Sequence, residues 1–328
     1  MKAVLCKAFG LPETLTLAEI PSPSVGTGEV KIAVQACSIN YADVLMIQGL
    51  YQEKPPFPFS PGLEAAGIIS EVGAGVTHLK VGDRVAALVG HGGLAEEVVT
   101  AAYTALPIPA SMSFTDAAAF AVAYGTSHLA LAHRANLQAG ETLLVHGAAG
   151  GVGLTAVQIG KLLGATVIAT ASTAEKLAIA RANGADYVIN YREEKFSERV
   201  KEITHGKGAD VIYDPVGGDV FDESLRCIAW EGRLVVIGFA SGRIPSAPAN
   251  LALVKNCSIV GVYWGKYAQR DPQTLLRSLG QLFQWYEAGQ IRPHISAVYP
   301  LAETAAAMNV LLGRQATGKV VVAVAENA

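Results

Sequence analysis

The stretch LLVHGAAGGVGLTAVQIGKLLGATVIAT, residues 143–170, constrains the fold more than any other part of the chain. An apolar run enters a glycine-rich turn, an amphipathic helical segment follows, and a second apolar run closes the unit. That order is a strand–turn–helix–strand unit, and its turn carries the spacing G-x-G-x-x-G with Ala148, Gly150 and Gly153 at the three glycine positions. Gly150 lets a backbone approach a pyrophosphate, and Gly153 lets the helix pack close to the strand. Ala149, Gly150, Gly151, Val152 and Gly153 then present a helix N-terminus, where free N–H groups and the macrodipole favour an anion. From Leu143 onward six strand segments (TLLVHG, TVIAT, DYVIN, DVIYD, RLVVIG and CSIVGV) alternate with helical segments near 151–163, 173–182, 193–204 and 220–229. Alternation of this kind predicts an α/β doubly wound domain with a six-stranded parallel sheet.

NAD-specific turns place an acid about 20 residues on, at the end of the second strand, to bind the ribose 2′-hydroxyl. Here that position is Ala171, followed by Ser172 and Lys176. Without an acid a 2′-phosphate is not repelled, and Ser172 and Lys176 can bind it by hydrogen bond and by charge. NADPH is therefore expected over NADH. Ser172 and Glu175 also have capping-box spacing, which gives Ser172 a structural role as well, and Lys176 can equally be a solvated lysine.

The first third is different. EVKIAVQACSIN alternates, PPFPFSPG is a rigid turn, EAAGIISEVGAGV reads as strand, turn and strand, and KVGDRVAAL and GGLAEEVVT add short strands. This predicts a compact barrel-like domain. FTDAAAFAVAYGTSHLALAHRA is helical, and after residue 262 two helices near 271–288 and 301–313 and the strand KVVVAV return to complete the barrel. The expected division is 1–120 with 262–328 as one domain and 121–261 as the dinucleotide domain. A length of 328 residues suits two domains, and 51% hydrophobic residues with 34 glycines suits a well-buried fold with many tight turns. The net charge of -3 offers no basic excess for nucleic acid or an anionic membrane. The start, MKAVLCKAFG, reads as a strand rather than a leader, and no apolar run reaches membrane-spanning length. Cys6, Cys37, Cys227 and Cys257 form no CxxC pair, as expected of a protein in the reducing cytoplasm.

The motifs GAAGGVG, PGLEAAGIISEVGAGV and NYREE together resemble the medium-chain dehydrogenase/reductase superfamily, and within it the quinone oxidoreductases related to ζ-crystallin. The resemblance spans the chain and implies a GroES-like β-barrel catalytic domain beside a Rossmann domain. Zinc-dependent members carry a histidine where this chain has Leu63 and a cysteine where it has Asn40, and no cysteine lies near Ala118 or between Val85 and Tyr103. The resemblance thus implies a reductase without zinc, since a catalytic zinc needs three protein ligands. Cys37 reads as a packed thiol, and His91, His128 and His146 as structural. Without a Lewis acid the expected chemistry is hydride transfer from NADPH to an electrophilic acceptor: a quinone, or else an alkene conjugated to a carbonyl (enal, enone or enoyl thioester). A non-catalytic, crystallin-like NADPH-binding protein is the alternative of another class.

The resemblance also implies site residues. Asn40 would hydrogen-bond cofactor or acceptor, and Tyr51 would donate to a developing oxyanion unless it is a surface aromatic. Asp43 reads as structural. Thr126 matches a position beside the nicotinamide ribose, or is a buried hydroxyl at a helix start. Tyr191 matches one beside the adenine and 2′-phosphate, or is a strand-end aromatic. Val216, Phe239 and Ser241 follow the fourth and fifth strands at the cofactor edge. Arg314 and Lys319 match basic residues brought back towards the cofactor, with solvated charges as the alternative. Asn40, Tyr51 and Thr126 are the expected catalytic set. The sixth strand, followed by Tyr263 and Trp264, is expected to be an edge that pairs in a homodimer.

Overall fold

A computed structural model describes residues 1–325, which divide into two compact units, 1–122 with 292–325, and Ala123–Ile291. The first unit opens with strands β1 (Lys2–Leu5), β2 (Thr16–Glu19), β3 (Glu29–Ile39), β4 (Glu64–Val72), β5 (Arg84–Leu88), β6 (Glu97–Ala101) and β7 (Ala105–Pro107). The second holds β8 (Thr142–Val145), β9 (Thr166–Ala171), β10 (Tyr187–Asn190), β11 (Ala209–Asp214), β12 (Ile228–Val236) and β13 (Ser258–Gly261). The chain then returns with β14 (Ile295–Pro300) and β15 (Lys319–Ala323).

In the first unit β3 is central. It pairs antiparallel with β4, β6 and β15 in a seven-stranded sheet ordered β14-β15-β3-β4-β5-β7. Val30, Ile32 and Val34 alternate inward, and from Ala36 to Ile39 every residue is buried. Since β4 and β15 both run opposite to β3, their first residues lie beside its last ones (Cys37 opposite Ala65, Ile39 opposite Val320). EAAGIISEVGAGV gives one strand rather than two, because Gly75 takes a left-handed φ of 82° and ends the extended run. The helices Tyr41–Ile47 and Ala249–Lys255 and the strands β2, β7 and β14 are among the elements without a sequence reading.

The second unit is the expected six-stranded sheet, all parallel, in the order β10-β9-β8-β11-β12-β13. Its order reverses between β8 and β11, the switch point where such folds bind ligands. Helices Gly151–Leu162, Ala174–Ala182, Phe196–Ile203 and Gly218–Cys227 stand where alternation predicts them.

The return to the first unit comes at Arg292, not at residue 262. The helix Pro272–Glu287 belongs with the second unit, where Ser278 Oγ lies 2.8 Å from His128 Nδ1 and Trp285 meets the His128 ring edge-on at 5.3 Å. No helix among the described residues is long and apolar enough to cross a membrane.

Candidate functional site

The glycine turn connects β8 to the helix Gly151–Leu162. Its left-handed residue is Gly147, at φ 56°, one position before the Ala148 of the expected motif. Gly147 reverses the chain, and Ala148 N–H then donates to Thr170 O on the neighbouring strand segment at 3.1 Å. Gly150 is the N-cap and has no side chain to cap with, so the first-turn N–H groups of Gly151, Val152 and Gly153 face outward along the axis of a 12-residue helix. A Cβ on Gly153 would sit 2.2 Å from Gly147 O and 2.8 Å from Ala148 Cα, so glycine is what lets helix and turn meet. A Cβ on Gly150 would meet only Gly147 O, at 3.2 Å, which leaves that backbone open on its outer side. A diphosphate fits this cradle.

β9 ends at Ala171, which is buried and carries no carboxylate. Ser172 does not cap the next helix. Thr173 is the N-cap, its Oγ1 accepting from Lys176 N–H at 3.3 Å, because the helix begins at Ala174. Ser172 and Lys176 are both half-buried at this strand end. Tyr191 follows β10 at the same edge, is 44% exposed, and donates its N–H to Ala171 O at 3.3 Å. The three residues around the expected 2′-phosphate position therefore share one strand edge.

Val216, Phe239 and Ser241 form one assembly. Ser241 N–H donates to Val216 O at 2.9 Å and Ala240 N–H to Pro215 O at 3.1 Å, zipping together the loops after β11 and β12. Gly217, at φ 67°, lies so close to Phe239 that a Cβ would be 2.9 Å from its ring. Asp214 anchors the first loop by accepting from Val216 and Gly217 N–H at 2.8 and 2.9 Å; burial raises its pKa, and those two donors oppose the rise. Thr126 is buried in the helix Ala121–His128, towards its C-terminal end rather than at its start.

The polar centre of the first unit follows from the strand directions. Ser38 and Asn40 at the end of β3, Glu64 at the start of β4 and Lys319 at the start of β15 converge, all buried. Glu64 Oε1 accepts from Ser38 Oγ at 2.6 Å and Asn40 Nδ2 at 2.9 Å, and lies 3.4 Å from Lys319 Nζ. Glu64 Oε2 accepts from Val122 N–H at 2.8 Å. Lys319 Nζ donates to Asn40 Oδ1 at 2.5 Å. Lys319 is thus no solvated charge. It sits 5% exposed and fixes the Asn40 amide between a cation and a carboxylate. Asp43 accepts from Asn40 N–H at 2.8 Å and from Gly62 and Leu63 N–H at 3.1 and 3.0 Å, which holds the segment before β4. Burial pushes its carboxyl up to about 7, against the pull of the Asn40 N–H and the Lys319 ammonium. Sequence reasoning missed Glu64 and Ser38. The available signal was a glutamate directly before the apolar run AAGII of β4, where only a paired carboxylate can be buried.

Tyr51 is half-buried and packs against the apolar cluster that holds Ile47 and Phe59. Arg314 is exposed, at a left-handed φ of 55° just beyond the helix Thr304–Leu312. The three histidines have structural partners. His91 meets Phe59 edge-on, His128 pairs with Ser278, and His146 lies between Thr170 Oγ1 and Ser224 Oγ at 3.0 and 2.8 Å. Cys37 is fully buried, with its Sγ against Gly62 and Gly93, and burial raises its thiol pKa well above the usual range. Among the described residues no three His, Cys, Asp or Glu side chains gather as metal ligands.

Two family models match the chain: the alcohol dehydrogenase GroES-like domain over residues 26–110 and the zinc-binding dehydrogenase over residues 151–281. Asn40 and Leu63 lie outside the second match. The quinone oxidoreductase-like protein 2 homolog of Nematostella vectensis is 46% identical over 98% of this chain and 88% of its own. The human quinone oxidoreductase is 36% identical over 98% of this chain and 97% of its own. The structure of Escherichia coli quinone oxidoreductase complexed with NADPH superposes with a TM-score of 0.92 at 34% identity, covering 99% of this chain and 100% of that one. The chain belongs to the quinone oxidoreductase family of the medium-chain dehydrogenases/reductases.

Proposed function

We propose that this protein is an NADPH-dependent, zinc-independent reductase that delivers hydride to a quinone. The observation that carries the reading is the state of Asn40. Where zinc-dependent relatives place a thiolate, this chain has a neutral amide already committed to Lys319 and Glu64. Leu63, at the histidine position, adds no donor. The relatives named quinone oxidoreductase, one of them complexed with NADPH, support the same reading.

NADPH, when bound, supplies the hydride. The chain's own residues do the rest. The N–H groups of Gly151 to Gly153 hold the diphosphate, and Ser172, Lys176 and Tyr191 hold the 2′-phosphate. Val216, Phe239 and Ser241 line the cofactor edge, Thr126 contacts the nicotinamide ribose, and Arg314 adds positive charge. Lys319 acts by fixing Asn40, whose amide orients the reactants. Tyr51 donates a hydrogen bond to the acceptor oxygen as negative charge builds there. The exposed edge strand β13 supports a homodimer.

Turnover of NADPH with a panel of quinones and enones tests the reading, alongside metal content of the purified protein. Quinone turnover without stoichiometric zinc is expected; turnover that needs one zinc per chain overturns it. Tyr51→Phe should lower enone turnover more than quinone turnover, because a hydroquinone anion is already delocalised. NADPH affinity should stay unchanged. Wild-type turnover on both acceptors would make Tyr51 a pocket wall.

A further inference from the structure

Trp264 stands three residues beyond the C-terminal end of β13, on the same edge of the parallel sheet as the glycine turn. Its ring lies against Gly125. A Cβ there would be 2.6 Å from Cζ2, 2.8 Å from Cε2 and 2.9 Å from Nε1, so the helix Ala121–His128 gives up a side chain to admit the indole. Trp264 is only 8% exposed, and its Nε1 is the one buried side-chain nitrogen or oxygen among the described residues that has no hydrogen-bond partner. A buried donor left unmade costs free energy, and native proteins rarely keep one without a use. The other buried side-chain polar atoms among the described residues have partners, Asp214 at this edge by two N–H groups. The next residue along the helix from Gly125 is Thr126, assigned above to the nicotinamide ribose.

We propose that Trp264 is a positioning residue whose indole N–H donates to a carbonyl oxygen present only in the loaded enzyme. The indole gives one hydrogen and accepts none, so its partner is an acceptor, and being neutral and buried it cannot offset the charge of a phosphate or a carboxylate, which points to a carbonyl. Two reactants carry such an oxygen: the nicotinamide carboxamide and the acceptor itself. This inference rests on the NADPH reductase reading and deepens it. Held from a rigid, buried ring, the bond fixes the carbonyl-bearing plane without drawing on a flexible side chain.

The test is nuclear magnetic resonance on the full-length protein carrying ¹⁵N-tryptophan and ¹⁵N-glycine. There are three tryptophans, hence three indole N–H signals, and Trp264→Phe identifies the one that disappears. NADPH alone should move the glycine-turn amides and the Trp264 indole signal together if the carboxamide is the partner. If the acceptor is the partner, the indole should move only when quinone is added to the NADP⁺ complex, in which no turnover occurs. Correspondingly, Trp264→Phe should weaken NADPH binding about three- to tenfold in the first case. In the second it should raise the acceptor KM by that factor with NADPH affinity intact. Glycine amides that move while the indole stays still in both complexes overturn the proposal and leave the reductase reading standing. Glycine amides that ignore NADPH overturn both.

Discussion

At the scale of single residues, the most costly commitment in the chain is the buried pair of Glu64 and Lys319. Removing one partner of such a pair costs roughly 3–5 kcal/mol, whereas replacing both by apolar residues of like size is often neutral. Glu64→Leu should therefore lower the unfolding free energy by about that amount, and Glu64→Leu with Lys319→Met should regain more than half of the loss. Urea unfolding of the wild type and the two variants measures this; equal loss in both variants would mean that the carboxylate matters only for its bonds to Ser38, Asn40 and Val122. Lys176 is a different kind of residue, half-buried at the end of β9. Lys176→Ala should weaken NADPH roughly ten- to a hundredfold, the value of a charge-assisted contact, and leave NADH nearly unchanged. Equal weakening of both cofactors would show that Lys176 does not read the 2′-phosphate.

At the scale of elements, the glycine turn separates packing from ligand approach. Gly153→Ala drives a methyl group into the backbone of Gly147 and Ala148 and should destabilise the fold by about 1–3 kcal/mol. Gly150→Ala meets only a carbonyl at 3.2 Å and should change stability little; if the diphosphate binds as proposed, the added methyl should obstruct its approach and weaken NADPH binding. Thermal melts and NADPH titrations of the two variants give both readings. Comparable melting losses would remove the distinction. The turn, the six parallel strands and their helices were legible because each leaves a local trace: an apolar run, a helical period, a glycine where the chain must reverse. What stayed hidden was set by pairing between distant segments. Nothing near Glu64 says that Lys319, 255 residues on, will neutralise it; that follows only once β4 and β15 both flank β3. The cap fell on Thr173 rather than Ser172 because two adjacent hydroxyl residues satisfy the same rule and the strand's end decides between them. The helix Pro272–Glu287 has an apolar face that local pattern cannot assign to one unit or the other. His128 and Ser278 settle it in three dimensions.

At the scale of the whole molecule, two histidines make the fold sensitive to acid. His146 is held neutral between two hydroxyls, with burial lowering its pKa to about 3, and burial lowers that of His128 to about 4. In the unfolded chain both titrate near 6.5. Their contribution is therefore fully present above about pH 6.5 and declines as pH falls towards 4 and 3, by about 1.4 kcal/mol per pH unit for each proton taken up on unfolding. Asp43, raised to about 7, acts in the opposite sense and favours the fold at lower pH, so the net slope is smaller than two histidines alone would give. His146→Gln should flatten the decline between pH 6.5 and 4.5 in urea melts while costing stability at pH 7.5; an unchanged slope would mean that the imidazole is protonated in the fold. Assembly is the other property at this scale. β13 pairs with β12 on one side only, and Trp230 at 67% exposure, Leu253 at 79% and Val254 at 62% accompany it in the same unit. A bare edge strand with apolar neighbours invites pairing with a second copy, and lysine on such an edge prevents it. If the protein is the proposed β13-paired homodimer, Ile259→Lys should make it a monomer by light scattering, with the melting temperature of the monomer close to that of the wild type because Ile259 is already 36% exposed. A dimer that persists in this variant would place the interface elsewhere and leave the β13 edge covered by nothing but solvent.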